Sequence, residues 1–426
     1  MIRILYAILT YLLLPVYALY WVFRGVVNRA YLDRVGQRFG FGFPRIPDGS
    51  IWIHAVSVGE VQAAIPLVRA LGRRFPDRQL LLTTVTPTGA ARVNSVFGNS
   101  VLHSYIPFET PTAVQNFFDA IKPQLALIME TEIWPNLYHE CGFRKVPLVL
   151  VSARISPRSV RSYRRLLPLF RETLSHGIII AAQSEADADR FRSLGARPER
   201  THVTGNIKFD VEMPPDLADN GRQLRASTFG RRPVWIAAST HQREEEQVLE
   251  AHAQLRGSLP DALLVLVPRH PERFDAVRQL LQRQHLGFVT RTSGLAPGAT
   301  HSVYLGDTMG EVPLFYAASD VAFVGGTLVP VGGHNLLEPA SLGLPVVTGP
   351  HLFNTQDIAD MFVRIGALTR VANARELGEA VVALLVDRTE AKRLGRLGRD
   401  VVAENRGALQ RLLRLLEPLI ADVGGR

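Results

Sequence analysis

A single cysteine, Cys141, stands in a chain of 426 residues. One thiol builds neither a disulfide framework nor a cysteine zinc site, and it suits a reducing compartment. Lysine is nearly as scarce: of 48 basic residues, only Lys122, Lys145, Lys208 and Lys392 are lysines. No G-x-G-x-x-G follows an apolar run, which disfavours a dinucleotide oxidoreductase. No G-x-x-x-x-G-K-[ST] occurs, which disfavours a P-loop nucleotidase. H-E-x-x-H and G-x-S-x-G are missing too, as are internal repeats and low-complexity tracts. His54, His270 and His334 do not show metal-ligand spacing and read as packing or hydrogen-bonding residues. No metal or other cofactor is expected.

What is present describes a folded, basic, membrane-associated chain. Hydrophobic residues make up 47% and charged residues 20%, a globular balance, and the length suits two domains. Net charge is +9, which favours anionic partners. A nucleic-acid partner is not expected, because no recognition motif or interleaved aromatics accompany the charge. Residues 4–23 (ILYAILTYLLLPVYALYWVF) carry no charge and are long enough to cross a bilayer as a helix. Arg3 precedes the stretch, whereas Arg24, Arg29, Arg34 and Arg38 follow it, an asymmetry that puts the following chain in the cytoplasm. A signal peptide would show the opposite charge order and a small-residue cleavage site. A core helix would be unusually apolar all round. A helix lying in the membrane surface is the stronger rival to a span, because Pro15 interrupts the stretch.

Beyond residue 50, short apolar runs alternate with helical stretches. The runs are IWIHAV, LLLTTVT, VLHSY, LALIME, PLVLVSA and GIIIAAQ, then PVWIAAS, LLVLVP, FVTRT, SVYLG, VAFVGG and PVVTG. Continuous apolar strands with helical crossovers predict parallel sheets covered on both faces. The expected fold class is α/β, with two tandem Rossmann-like doubly wound domains facing across a cleft behind an N-terminal membrane-anchor helix. The boundaries read as an anchor over 1–24, a domain over 25–206 and a linker over 207–232. A second domain follows over 233–406 and a C-terminal helix over 407–426. In such sheets, ligands bind outside the carboxyl ends of the strands.

Several polar residues fall at those ends. Glu60 follows the first run through SVGEVQ, and Glu130 and Glu132 close LALIMETE. Buried carboxylates after a strand are costly unless solvated or partnered, although an acid at a helix start can be simple dipole compensation. The D-x-D of Asp187 and Asp189 reads as acids in a first turn capped by Ser184 rather than as a metal site. In the second half, three helix starts offer free N–H groups for phosphate: Pro268–Arg269–His270, Met309–Gly310–Glu311, and the glycine-rich loop before Asn335 and Glu338.

SVGEVQAAIPLVRAL, METEIWPNL, VTGNIKFD, VPRHPERF and GGHNLLEPA together resemble the 3-deoxy-D-manno-octulosonic acid (Kdo) transferases of lipopolysaccharide synthesis, over essentially the whole chain. The resemblance implies a metal-independent inverting glycosyltransferase of two Rossmann-like domains (the GT-B type), with CMP-Kdo as donor and the lipid A precursor as acceptor. It would sit on inner-membrane lipid with its catalytic domains in the cytoplasm. The first domain would take the acceptor and the second the donor. By motif match, Glu60 would be the proton acceptor, and Glu130 and Lys208 would stabilise the transition state. Pro268, Arg269, Met309, Gly310, Glu311, Asn335, Leu336, Leu337 and Glu338 would bind CMP. An alternative is a membrane-associated transferase using another nucleotide sugar on a lipid.

Overall fold

A computed structural model of the chain describes residues 2–211 and 213–421. The chain divides into two compact units, one formed by residues 1–210 with 405–426 and the other by residues 211–404.

The first unit is built on seven parallel strands: β1 Ser50–His54, β2 Gln79–Thr84, β3 Leu102–Tyr105, β4 Pro123–Met129, β5 Leu148–Ala153, β6 Ile179–Ala182 and β7 Thr201–Val203. They lie in the order β3-β2-β1-β4-β5-β6-β7. Alternate side chains of each strand enter opposite layers, which is why both parities are apolar. Ile51 and Ile53 pack with the helix Val58–Arg74, while Trp52 packs with Phe117 and Phe118 on the other face. The last helix, Ala408–Ala421, belongs to this unit. Its Leu412 and Leu416 join the layer of Ile51, and Asp210 accepts at 2.6 Å from both Gly407 N and Leu409 N.

The second unit has the strands β8 Val234–Thr240, β9 Leu263–Pro268, β10 Phe288–Thr290, β11 Val303–Leu305, β12 Val321–Val324, β13 Val346–Thr348 and β14 Leu368–Arg370. Their order is β10-β11-β9-β8-β12-β13-β14, again all parallel. Both units are thus doubly wound α/β, as the alternation predicts. The strand order switches sides between β1 and β4 in the first sheet and between β8 and β12 in the second, where β11 also inserts between β9 and β10. The crevice at that switch point is where such sheets hold ligands.

Two strands escape sequence reading, β7 and β14. Each is three residues at a sheet edge with partly exposed, polar-containing sequence (THV and LTR), too short to show an apolar run. Residues 207–232 also hold more structure than their prolines and glycines suggest. They contain the 3-10 turn Ile207–Phe209, the helix Leu217–Leu224 and a π-turn over Arg225–Phe229, with Leu224 and Phe229 buried in the second unit.

The N-terminal helix Ile2–Val27 is long and apolar enough to cross a membrane. One flank docks on the first unit along its length. Arg3 Nε lies 3.8 Å from Glu172, Tyr6 donates to the buried Glu109, and Tyr17 stacks on Phe108 at 4.0 Å. Trp21 covers the guanidinium of Arg38 at 3.6 Å. The opposite flank, including Leu5, Leu12, Leu19 and Phe23, is exposed.

Candidate active site

Strand β1 ends in a turn at Ser57, whose extended backbone (φ −124°) caps the helix Val58–Arg74. Ser57 Oγ accepts from Glu60 N at 3.5 Å, and Glu60 Oε2 accepts from Val56 N at 2.9 Å. This is close to a capping box, with the carboxylate folded back over the strand end and held there. Capping does not exclude a chemical role for Glu60: the cap fixes the carboxylate at the carboxyl edge of β1. Burial pushes its proton affinity up to about 8. The Val56 N–H opposes that rise, the Glu130 and Glu132 carboxylates add to it, and the Lys208 ammonium lowers it. A carboxylate with raised proton affinity near neutral pH is suited to general-base work.

Glu130 stands just past β4, the neighbour of β1 across the switch point. Its φ is +55°, in the left-handed region that non-glycine residues avoid, and such strain concentrates at functional sites. That turn of the backbone points the carboxylate at two cations. Oε1 lies 3.0 Å from Lys208 Nζ and Oε2 lies 3.1 Å from Arg154 Nε. Ser152 near the end of β5 is also left-handed (φ +49°), and its Oγ accepts from Ile207 N at 3.2 Å, which anchors the turn that carries Lys208. Lys208 N is further held by Asn206 Oδ1 at 3.0 Å. Glu132 accepts from Trp134 Nε1 at 2.8 Å, and burial raises its proton affinity.

A cavity of about 530 Å³ opens over these strand ends. Glu60, Glu130, Glu132, Arg154, Tyr163 and Arg190 are among the residues that line it. The structure thus gathers Glu60, Glu130 and Lys208 into one charged cluster from three separate segments. Arg154 and Arg190 were not legible beforehand; both sit in ordinary-looking arginine-rich context. The capping reading of Asp187 holds: Ser184 Oγ accepts from its N–H at 3.2 Å, and its carboxylate accepts from Ile155 N at 3.0 Å and Arg190 at 2.9 Å. His54 is a packing histidine, buried with Nδ1 2.9 Å from Thr83 Oγ1. Among the described residues, no group of three or more His, Cys, Asp or Glu is arranged to hold a metal.

In the second unit, the sequence-predicted segments follow β9, β11 and β12, which with β8 are consecutive in the sheet. Pro268 closes β9, and Arg269 N donates to Thr240 O at 3.0 Å, tying it to the end of β8. Met309 is exposed, and Gly310 has φ +84°, which favours glycine in that turn. Glu311 stands at the start of the short helix Val312–Ala317 without a side-chain capping bond and is gripped by Arg291 Nη2 at 2.7 Å, which holds its proton affinity below the ordinary carboxylate value. Asn335 donates to Glu338 Oε1 at 3.0 Å and accepts from Leu337 N at 3.0 Å. The side chains of Leu336 and Leu337 are buried, so only their backbone can meet a ligand. Burial raises the proton affinity of Glu338, opposed first by Asn335 and then by Arg269.

Sequence reasoning passed over the turn after β8. Glu244 is fully buried there, and its carboxylate accepts from Gly326 N (2.7 Å), Thr327 N and Leu328 N (both 2.9 Å) and His241 N (3.2 Å). One carboxylate therefore moulds the glycine-rich loop after β12. The available signal was STHQREEE, an apolar strand running into clustered acids at a helix start.

Residues 33–211 match the family model described as 3-Deoxy-D-manno-octulosonic-acid transferase (kdotransferase). A 3-deoxy-D-manno-octulosonic acid transferase of Haemophilus influenzae is 44% identical over 398 residues, 93% of each chain. The solved C-terminal CMP-Kdo binding domain of WaaA from Acinetobacter baumannii is 39% identical, with 44% of this chain and 97% of that one covered at a TM-score of 0.42. A UDP-GlcNAc 2-epimerase of Neisseria meningitidis, solved with UDP-GlcNAc, is 15% identical at a TM-score of 0.51 over 86% of this chain and 100% of its own, a likeness of fold alone. With the strand-end carboxylates in place and near-half identity across almost its whole length, the chain belongs to the 3-deoxy-D-manno-octulosonic acid transferase family of glycosyltransferases.

Proposed function

We propose that this enzyme transfers Kdo from CMP-Kdo to a hydroxyl of the lipid A precursor, inverting the anomeric centre, in lipopolysaccharide synthesis. The observation that carries the reading is Glu60, fixed at the first sheet's switch point with raised proton affinity beside the Glu130–Lys208 pair. Glu60 takes the proton of the acceptor hydroxyl as its oxygen attacks the anomeric carbon. The bond from that carbon to the phosphate oxygen breaks, and its electron pair leaves with CMP. Glu130 sets the position of Lys208, and the ammonium offsets negative charge as the transition state forms.

The second unit supplies the CMP site. Arg269 meets phosphate, the helix starts after β11 and β12 offer backbone N–H groups, and Glu338 accepts from ribose hydroxyls. CMP leaves as a phosphate monoester, so the reaction proceeds without a metal ion.

The N-terminal helix holds the enzyme to the inner membrane from the cytoplasmic side. An in-plane placement fits better than a lone span. A spanning helix docked along its flank would carry Arg3, Glu109 and Glu172 into hydrocarbon, where charges are costly. Lying in the interface, it buries Leu5, Leu12, Leu19 and Phe23 in lipid and keeps the docked flank dry.

The test is mass spectrometry of product made by purified enzyme from CMP-Kdo and lipid A precursor in excess EDTA. A Kdo-bearing lipid is expected. No product with CMP-Kdo, but product with a UDP-sugar, would overturn the donor assignment. Activity lost in EDTA and restored by magnesium would overturn metal independence.

A further inference from the structure

His241 follows β8 and His334 rides on the glycine-rich loop after β12, so the two imidazoles meet across the second sheet's switch point. Their Nε2 atoms are 2.7 Å apart. The rings are parallel within 4°, with centroids 5.0 Å apart. The centroid separation exceeds the nitrogen separation by about two ring radii, so both nitrogens lie on the line of centres. This is an in-line N–H···N hydrogen bond, not a stack. Such a bond holds one proton on its axis, supplied by one ring and accepted by the other. A further proton can enter only at an outer Nδ1, and the resulting charge is shared along the axis.

The fold holds this pair from both sides. The Glu244 carboxylate binds His241 N and the loop N–H groups of 326–328, clamping the two segments together. At Gly326 (φ +70°) a Cβ would come 3.1 Å from His334 Nε2, so the close approach depends on glycine. The charged groups around the pair are mostly basic or already engaged. Arg269, His270 and Arg273 come from the segment after β9, with the His270 ring 5.4 Å from His241. Glu245 is bound by Arg273 at 3.0 and 3.1 Å, and Glu338 by Asn335. Burial first, and then this neighbouring positive charge, holds His241 at about 4 and His334 at about 3, so both are neutral at physiological pH.

We propose that His241 and His334 form a proton-linked phosphate receptor, which takes up one proton when a phosphate-bearing nucleotide binds beside Arg269. The inference rests on the second unit being the nucleotide site. The anion offsets the charge of Arg269 and gives an imidazolium N–H a partner, both of which favour the protonated pair. The proton returns to solvent when the nucleotide leaves. The complex then binds one more proton than the free protein, so affinity falls by up to about tenfold per pH unit through the titration of the complex.

The experiment is calorimetric titration of the full-length protein in detergent with CMP at pH 6.5, in Bis-Tris and in PIPES. The buffers' different ionisation enthalpies yield the protons taken up per CMP bound. The native protein should take up a measurable fraction of a proton per CMP, His241→Gln and His334→Gln close to none, and cytidine, which lacks phosphate, none with any variant. Uptake near zero in the native protein would overturn the proposal. So would uptake that survives in both variants, because the proton would then sit on the nucleotide phosphate, whose own second pKa is ~6. Failure of CMP to bind the native protein would instead overturn the nucleotide-site reading on which the proposal depends.

Discussion

Glu60 offers the sharpest test, because its environment gives a pH dependence with a direction for each neighbour. With its proton affinity at about 8, roughly one Glu60 in ten is ionised at pH 7, half at pH 8 and nine in ten at pH 9. The rate constant kcat/KM, which reports the free enzyme, should rise about tenfold per pH unit well below pH 8 and level off above pH 9. Glu130→Gln removes a carboxylate that raises this value and leaves Lys208 to lower it. The inflection should move down by roughly one pH unit. Lys208→Met removes the ammonium and should move it up. Glu60→Gln should lower kcat by ~10²–10⁴ and flatten the profile. Substrate ionisation is common to all four enzymes and cancels in the comparison. A stability readout follows from the same shift. Between the ordinary value of 4.5 and about 8, the folded state binds the Glu60 proton and the unfolded state does not, so this contribution to stability is lost as pH rises through that window. Single-turnover transfer from pH 6 to 9.5 decides it. Native turnover by Glu60→Gln, or inflections that move the same way in Glu130→Gln and Lys208→Met, would refute the reasoning.

Glu338→Gln should weaken CMP binding by ~1.5–3 kcal/mol in calorimetric titration, the range for hydrogen bonds to a charged group, while Glu60→Gln leaves it nearly unchanged. Leu12→Asp places a charge on the exposed flank of the N-terminal helix and should release the protein from anionic liposomes in flotation assays without lowering Tm. Trp21→Ala removes a buried ring from the docked flank and should lower Tm instead. Asp210→Ala leaves Gly407 N and Leu409 N without their acceptor; a lost cap of ~1–2 kcal/mol should lower the Tm of the first unit by a few degrees, with CMP affinity unaffected.

The sequence by itself determined the alternation of buried strands and helices, and with it two parallel sheets. It also marked the uncharged N-terminal stretch and the acids beyond β1 and β4. These are local properties: an apolar run of both parities has to be covered on both faces, and a charge after such a run has to sit at a sheet edge. It did not reveal β7 or β14, whose three residues carry no periodicity, nor the return of Ala408–Ala421 to the first unit. Only the tertiary structure decided which side chains meet. Glu130 finds Lys208 78 positions away because a left-handed backbone turns it there. The proton affinity of Glu60 depends on burial, which belongs to the fold and not to the residue. His241 and His334, 93 positions apart, become one hydrogen-bonded unit because the strand order of the second sheet switches sides between β8 and β12, and Glu244 closes the loop over that point. Strand order and loop closure are global properties of the chain, and no window of sequence around either histidine contains them.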